Sequence, residues 1–150
     1  MGNVEVKQGD LGQALESYRA ALDIRQRLAK FEPNNLNWQW GLSVAYSKIG
    51  DVQLKQSNLT EALGFYRMAL EVHQRLTRAD PRNANWQHDL ASVFAKLASV
   101  YLAQHDTPNA RETLSAGYKI MSTLVDLSPD NAQWKDDLED LNRKLTAEGP

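Results

Sequence analysis

No cysteine occurs anywhere in these 150 residues. That excludes a disulfide framework, a thiolate metal site and a cysteine nucleophile, and it suits a reducing, cytoplasmic setting. No apolar run approaches a membrane-spanning length. The opening Met1-Gly2-Asn3-Val4-Glu5-Val6 has no stretch long enough for a signal peptide, and Val6 stands where a myristoylation signal wants Ser or Thr. Neither sign of charge dominates: 17 Lys and Arg face 19 Asp and Glu, for a net −2. The signs are interleaved, so no basic face for nucleic acid or an anionic membrane is expected. Only Asp136, Asp137, Glu139 and Asp140 make a locally acidic stretch, which reads as a solvated end of the domain.

What the chain does have is a period of 48. Trp38, Trp86 and Trp134 keep that interval, as do Pro33, Pro81 and Pro129, Asn35, Asn83 and Asn131, and Ala14, Ala62 and Ala110. Residues 1–35 laid over 49–83 give 16 identities, and 36–83 over 84–131 give 12. A fixed period of this kind marks an array of stacked units. The chain therefore reads as one repeat domain over 1–150: a partial unit at 1–35, units at 36–83 and 84–131, and a capping helix at 132–147.

Within a unit, apolar residues recur at three- and four-residue steps, first Trp38, Leu42, Ala45, Tyr46 and Ile49, then Leu59, Ala62, Leu63, Tyr66, Ala69 and Leu70. Each unit is thus a pair of amphipathic helices. The prolines end one helix, and the asparagine that follows offers a cap to the next. Asp10, Asn58 and Asp106 stand at the turn inside each pair as further caps, with Gln13 and Glu61 at capping-box spacing. The pattern predicts helices near 10–31, 36–56, 59–79, 84–104, 107–127 and 132–146, with a stub at 2–8. Because Gly2-Asn3-Val4 matches Gly50-Asp51-Val52, most of a preceding helix is missing, as if the chain were cut from a longer array. Trp134, Leu138, Leu141 and Leu145 form a narrow apolar stripe on an otherwise polar last helix, which suits a cap.

Leu42-Ser43, Tyr46, Asn58-Leu59, Ala62, Tyr66, Ala69-Leu70 and Pro81 resemble the tetratricopeptide signature. The likeness covers nearly the whole chain but departs in period, which exceeds the usual ~34 residues by about 14. Seven extra residues fall between Tyr46 and Ser57 and seven between Ala69 and Pro81. Two helical turns added to each helix leave the inward face unchanged. The chain thus looks like a long-helix variant, similar in spirit to the long repeats of kinesin light chains. The resemblance implies an all-α, right-handed superhelical array of antiparallel helix pairs, whose first helices line a concave groove for a peptide or partner helix. Some members carry a Lys and Asn carboxylate clamp at set groove positions; here Trp40 and Val44 stand near those positions, so that clamp is not expected.

On the first helices, the face away from the apolar stripe carries Trp40, Val44, Ser47 and Lys48 in one unit and His88, Ser92 and Lys96 in the next. These are the groove candidates. Trp40 stands out because its counterparts are His88 and Asp136, so packing of the repeat does not require an aromatic there; it either binds or packs on a neighbouring helix. Lys48 and Lys96 recur at one position and meet an acidic ligand or simply water. Trp38, Trp86, Trp134, Tyr18 and Tyr66 read as core. Leu11, Leu15, Tyr18 and Leu22 would be uncovered by the missing helix, a possible face for a homodimer.

Catalysis is not expected. Gly41-Leu42-Ser43-Val44-Ala45 approaches G-x-S-x-G but lies within a helix, where the serine lacks the strand and sharp turn it needs. His88-Asp89 and His105-Asp106 lack a nucleophile and oxyanion donors. His73, His88 and His105 have no i, i+4 spacing for a metal, and Gly9-Asp10-Leu11-Gly12 is followed by no GK[ST], so neither metal, phosphate nor other cofactor is implied.

Overall fold

The computed structural model describes residues 8–148. Among them the chain forms six helices and no strand: α1 Gln8–Phe31, α2 Leu36–Lys55, α3 Leu59–Ala79, α4 Ala84–Ala103, α5 Thr107–Leu127 and α6 Ala132–Ala147. The expected starts at 36, 59, 84, 107 and 132 are the observed ones, and the ends from α2 onward agree within a residue. The physical reason is local. Asn35, Asn83 and Asn131 each accept from the backbone N–H of the tryptophan three residues on, at 3.2, 3.0 and 3.0 Å, satisfying an amide that the helix leaves free. Asp106 does the same for Asn109 N–H at 3.3 Å. Asp10 does not cap, because α1 already runs from Gln8. The stub at 2–8 lies, but for Gln8, outside the described residues.

Two tight turns separate the members of a pair. Ser57 and His105 take φ of 61° and 59°, each two residues past a helix end. Around them Asn58 N–H donates to Gln53 O at 2.9 Å and Asp106 N–H to Tyr101 O at 2.8 Å, while Ser57 N–H donates to Leu54 O and His105 N–H to Leu102 O, both at 3.0 Å. This is the Schellman pattern, which closes the last carbonyls of a helix through a left-handed residue.

The chain divides into two compact units, Met1–Val72 and His73–Pro150, with the boundary inside α3. In the first unit, α1 lies along α2: Gln26 Nε2 donates to Tyr46 Oη at 3.2 Å, and Arg25 lies over Gly41. Tyr66 on α3 is fully buried, seats its ring against Gly50 of α2 and donates its hydroxyl to Asp51 Oδ1 at 2.6 Å. Burial, and then Asp51, push the Tyr66 hydroxyl far above the ordinary tyrosine range.

In the second unit, α5 is packed between α4 and α6. Ala91, Ala98, Leu114, Met121, Leu124 and Leu141 form the core, with Trp134, Leu138 and Leu145 of α6 half-buried against it. Gly117 allows the close approach: a Cβ there would lie 3.3 Å from the Ala91 carbonyl oxygen.

His73 is buried in this unit at 3 % exposure, and its Nδ1 is buried without a hydrogen-bond partner. Burial lowers its pKa from the ordinary 6.5; Asp89 opposes that shift and Lys96 adds to it. The equivalent position one repeat later holds Met121, also buried. Above pH 6.5 His73 is neutral folded or unfolded and contributes no slope. As pH falls through that value the unfolded chain takes a proton that the folded chain refuses, so stability drops, by up to about 1.4 kcal/mol per pH unit, until the folded pKa is passed. Urea melts at pH 7 and pH 5 are therefore expected to show a larger loss for the parent than for His73→Met. An equal loss would mean that the ring titrates freely in the fold.

Candidate functional site

Two surfaces bring sequence-predicted residues together. The first is a cleft between α4 and α6 in the second unit, about 250 Å³ in volume, with His88, Ser92, Gln133, Asp137 and Asp140 at its polar edge and Ala91, Ala95, Met121 and Leu141 beneath. His88 Nε2 lies 2.7 Å from Asp137 Oδ2, and its ring stacks on Trp134, with centroids 6.2 Å apart and 22° between planes. Gln133 Nε2 donates to the other Asp137 oxygen at 2.9 Å. Lys144 and Arg143 lie 3.0 and 3.1 Å from Asp140. Lys144 foremost, with Arg143, holds the Asp140 carboxyl below the usual range, outweighing the effect of burial. Asp140 is thus paired from within its own helix, while Asp137 is held by Gln133 and by His88 of α4.

His88 and Ser92 both line this cleft, and Lys96 is half-buried on the same helix. The counterparts in the first unit are placed differently. Trp40 is 40 % exposed and Val44 half-buried. Ser47 is a correction: at 9 % exposure it belongs to the packed side of α2, where its small size lets a helix approach. Lys48 is exposed with its Nζ 5.7 Å from the centre of the Tyr18 ring. The Ser43 of the hydrolase-like pentapeptide is fully buried and donates to Trp40 O at 2.6 Å, a bond within its own helix. No group of three or more His, Asp or Glu able to hold a metal occurs among the described residues, and no helix among them is long and apolar enough to cross a membrane.

The second surface is α1. Leu11 is buried, contrary to its expected exposure, because it turns with Ala14 and Tyr18 into a small cavity shared with Lys48, Asp51, Val52 and Lys55 of α2. Leu15, Tyr18 and Leu22 are half-buried. The open apolar residues are Ile24, Leu28 and Phe31, at 58, 37 and 78 % exposure, which share one helix face at i, i+4 and i+7. Sequence reading missed them, although the repeat could have flagged them: the counterparts of Ile24 and Leu28 in α3 are Val72 and Leu76, at 3 and 1 %, and that of Leu28 in α5 is Leu124, at 2 %. Asp137 and Gln133 were also missed, since nothing local ties them to a histidine 49 residues away.

No family model matches this chain, and no curated protein does. Among solved structures, one described as "DHF119 filament" is similar to it over 95 % of this chain and 70 % of that one, with 12 % identity and a TM-score of 0.41.

Proposed function

We propose that this chain is a protein-association module whose principal partner is a second copy of itself. One observation carries the reading: Ile24 and Leu28 are open on α1, whereas the residues one period on, Val72 and Leu76, are buried. Apolar surface that the same molecule covers in its other repeats is surface made for covering. In its fuller form the reading takes the chain as a tetratricopeptide-like array, its helix pairs stacked in a right-handed superhelix over 1–150. Catalysis has no part in it. Ser92, His88 and Asp137 do meet at one cleft, but they sit within α4 and α6, where backbone N–H groups are spent on the helix and leave no oxyanion donors.

Light scattering after size exclusion, over a wide concentration range, is expected to show the mass rising toward two copies. Ile24→Glu combined with Leu28→Glu, folded by circular dichroism, is expected to stay at one. A parent chain that remains monomeric throughout would sink this reading and favour a second, in which a peptide or helix of another protein enters a groove lined by the first helices. The support for that second reading is the α4–α6 cleft, which gathers His88 and Ser92 over an apolar floor.

A further inference from the structure

Resting on the self-association reading, we propose that the second copy docks through its own α1, antiparallel, about a two-fold axis near Ala21, and that the pair closes without growing into a filament. The face concerned runs from half-buried Ala14 and Tyr18, which also line the cavity shared with α2, through Ala21 to the open Ile24, Leu28 and Phe31, at three- and four-residue steps that make a seam along a helix. Its two alanines let another helix come close.

Charge sets the direction. Asp10 lies along the seam in the first half of α1, and Arg25 and Arg27 flank it in the second. An antiparallel pair lays the acidic half of each helix on the basic half of the other, whereas a parallel pair opposes like charges. A two-fold axis makes the contact self-complementary and closed.

The competing arrangement is head-to-tail, with α6 of one copy on α1 of the next. The repeats show what this kind of face accepts. Tyr66 takes Gly50 against its ring, on the side of α2 that buries Ser43 and Ser47; α5 takes Ala91 and Ala98, with Ala95 alongside. The same three positions of α6 hold Glu139, Arg143 and Thr146, all exposed. Two long charged side chains keep a helix at a distance, and burying them against an apolar seam leaves their charge without water. The small-residue faces of α2 and α4 are already buried, so α1 meets α1.

The absence of native cysteine makes a clean test. Ala21→Cys, oxidised at a concentration where the mass doubles, is expected to give a covalent dimer. Ala14→Cys alone is expected to give little, and a mixture of Ala14→Cys with Leu28→Cys to cross-link between the two. Self-linking of Ala14→Cys would overturn the antiparallel assignment. A doubled mass with no cross-link at any of these positions would remove the α1 seam while leaving self-association standing, and a steady monomer would remove both. In a second arm, Glu139→Ser, Arg143→Ser and Thr146→Gly together give α6 the pattern of α2, and masses beyond two copies are expected to appear. A mass still capped at two would overturn the role assigned to these side chains.

Discussion

Alanine in place of Gly50 is expected to destabilise the fold by about 1–3 kcal/mol, the usual range for an overpacked core, despite the ~1 kcal/mol that alanine gains over glycine in a helix. The new Cβ would lie 2.5 Å from Cε1 and 2.7 Å from Cδ1 of Tyr66. That ring has nowhere to go, being fully buried and held at its hydroxyl by Asp51. Gly41 is the control. An added Cβ there meets the guanidinium tip of Arg25, the far end of a flexible side chain, so Gly41→Ala is expected to be neutral or mildly stabilising. The repeat also supplies the remedy, since one period after Gly50 and Tyr66 stand Ala98 and Leu114, both buried. Gly50→Ala with Tyr66→Leu is therefore expected to be more stable than the sum of the single changes implies, a coupling that a double-mutant cycle in urea reads directly. Additive losses would show that the Gly–Tyr contact is not what constrains position 50.

Leu141→Asp is expected to release α6. Leu141 is the single residue that α6 buries fully, at 3 % exposure, and it packs into the core that α4 and α5 share. The rest of the helix is held by half-buried Trp134, Leu138 and Leu145, by the His88–Asp137 contact and by Arg111, which donates to the Glu148 carbonyl at 2.8 Å. Truncating a buried leucine costs about 2–5 kcal/mol, and a carboxylate placed there adds the cost of burying or exposing a charge. Circular dichroism should lose the signal of one 16-residue helix, and the Trp134 fluorescence should shift toward that of a solvated indole. Because the α4–α6 cleft exists only while α6 is seated, His88 would lose Asp137 in the same step. Retention of full helicity and of the Trp134 emission would mean that the other apolar residues suffice to dock α6. The dimer expected through α1 uses no residue of α6, so loss of α6 with dimerisation intact is the expected combination.

Much of this architecture was legible in the sequence because it depends on nearest-neighbour chemistry. An asparagine after a proline-bearing link caps whatever helix follows it, and Trp38, Trp86 and Trp134 each receive their asparagine within one turn. Periodicity told which residues point inward, and Tyr66, Ala62 and Ala69 are fully buried. The same reasoning failed where neighbours far along the chain decide. Asp10 has the spacing of a cap but lies within α1, because helix continues on both sides of it. Ser47 lies on the packed side of α2, and Leu11 turns toward α2.

The sequence by itself determined the helices from α2 onward and the caps at Asn35, Asn83, Asp106 and Asn131, since each rests on interactions spanning a few residues. The tertiary structure alone decided which apolar residues of α1 stay open and which carboxylate meets His88. Exposure depends on what packs against a face, and a bond across 49 residues depends on where α5 places α6 beside α4, neither of which is written in local periodicity.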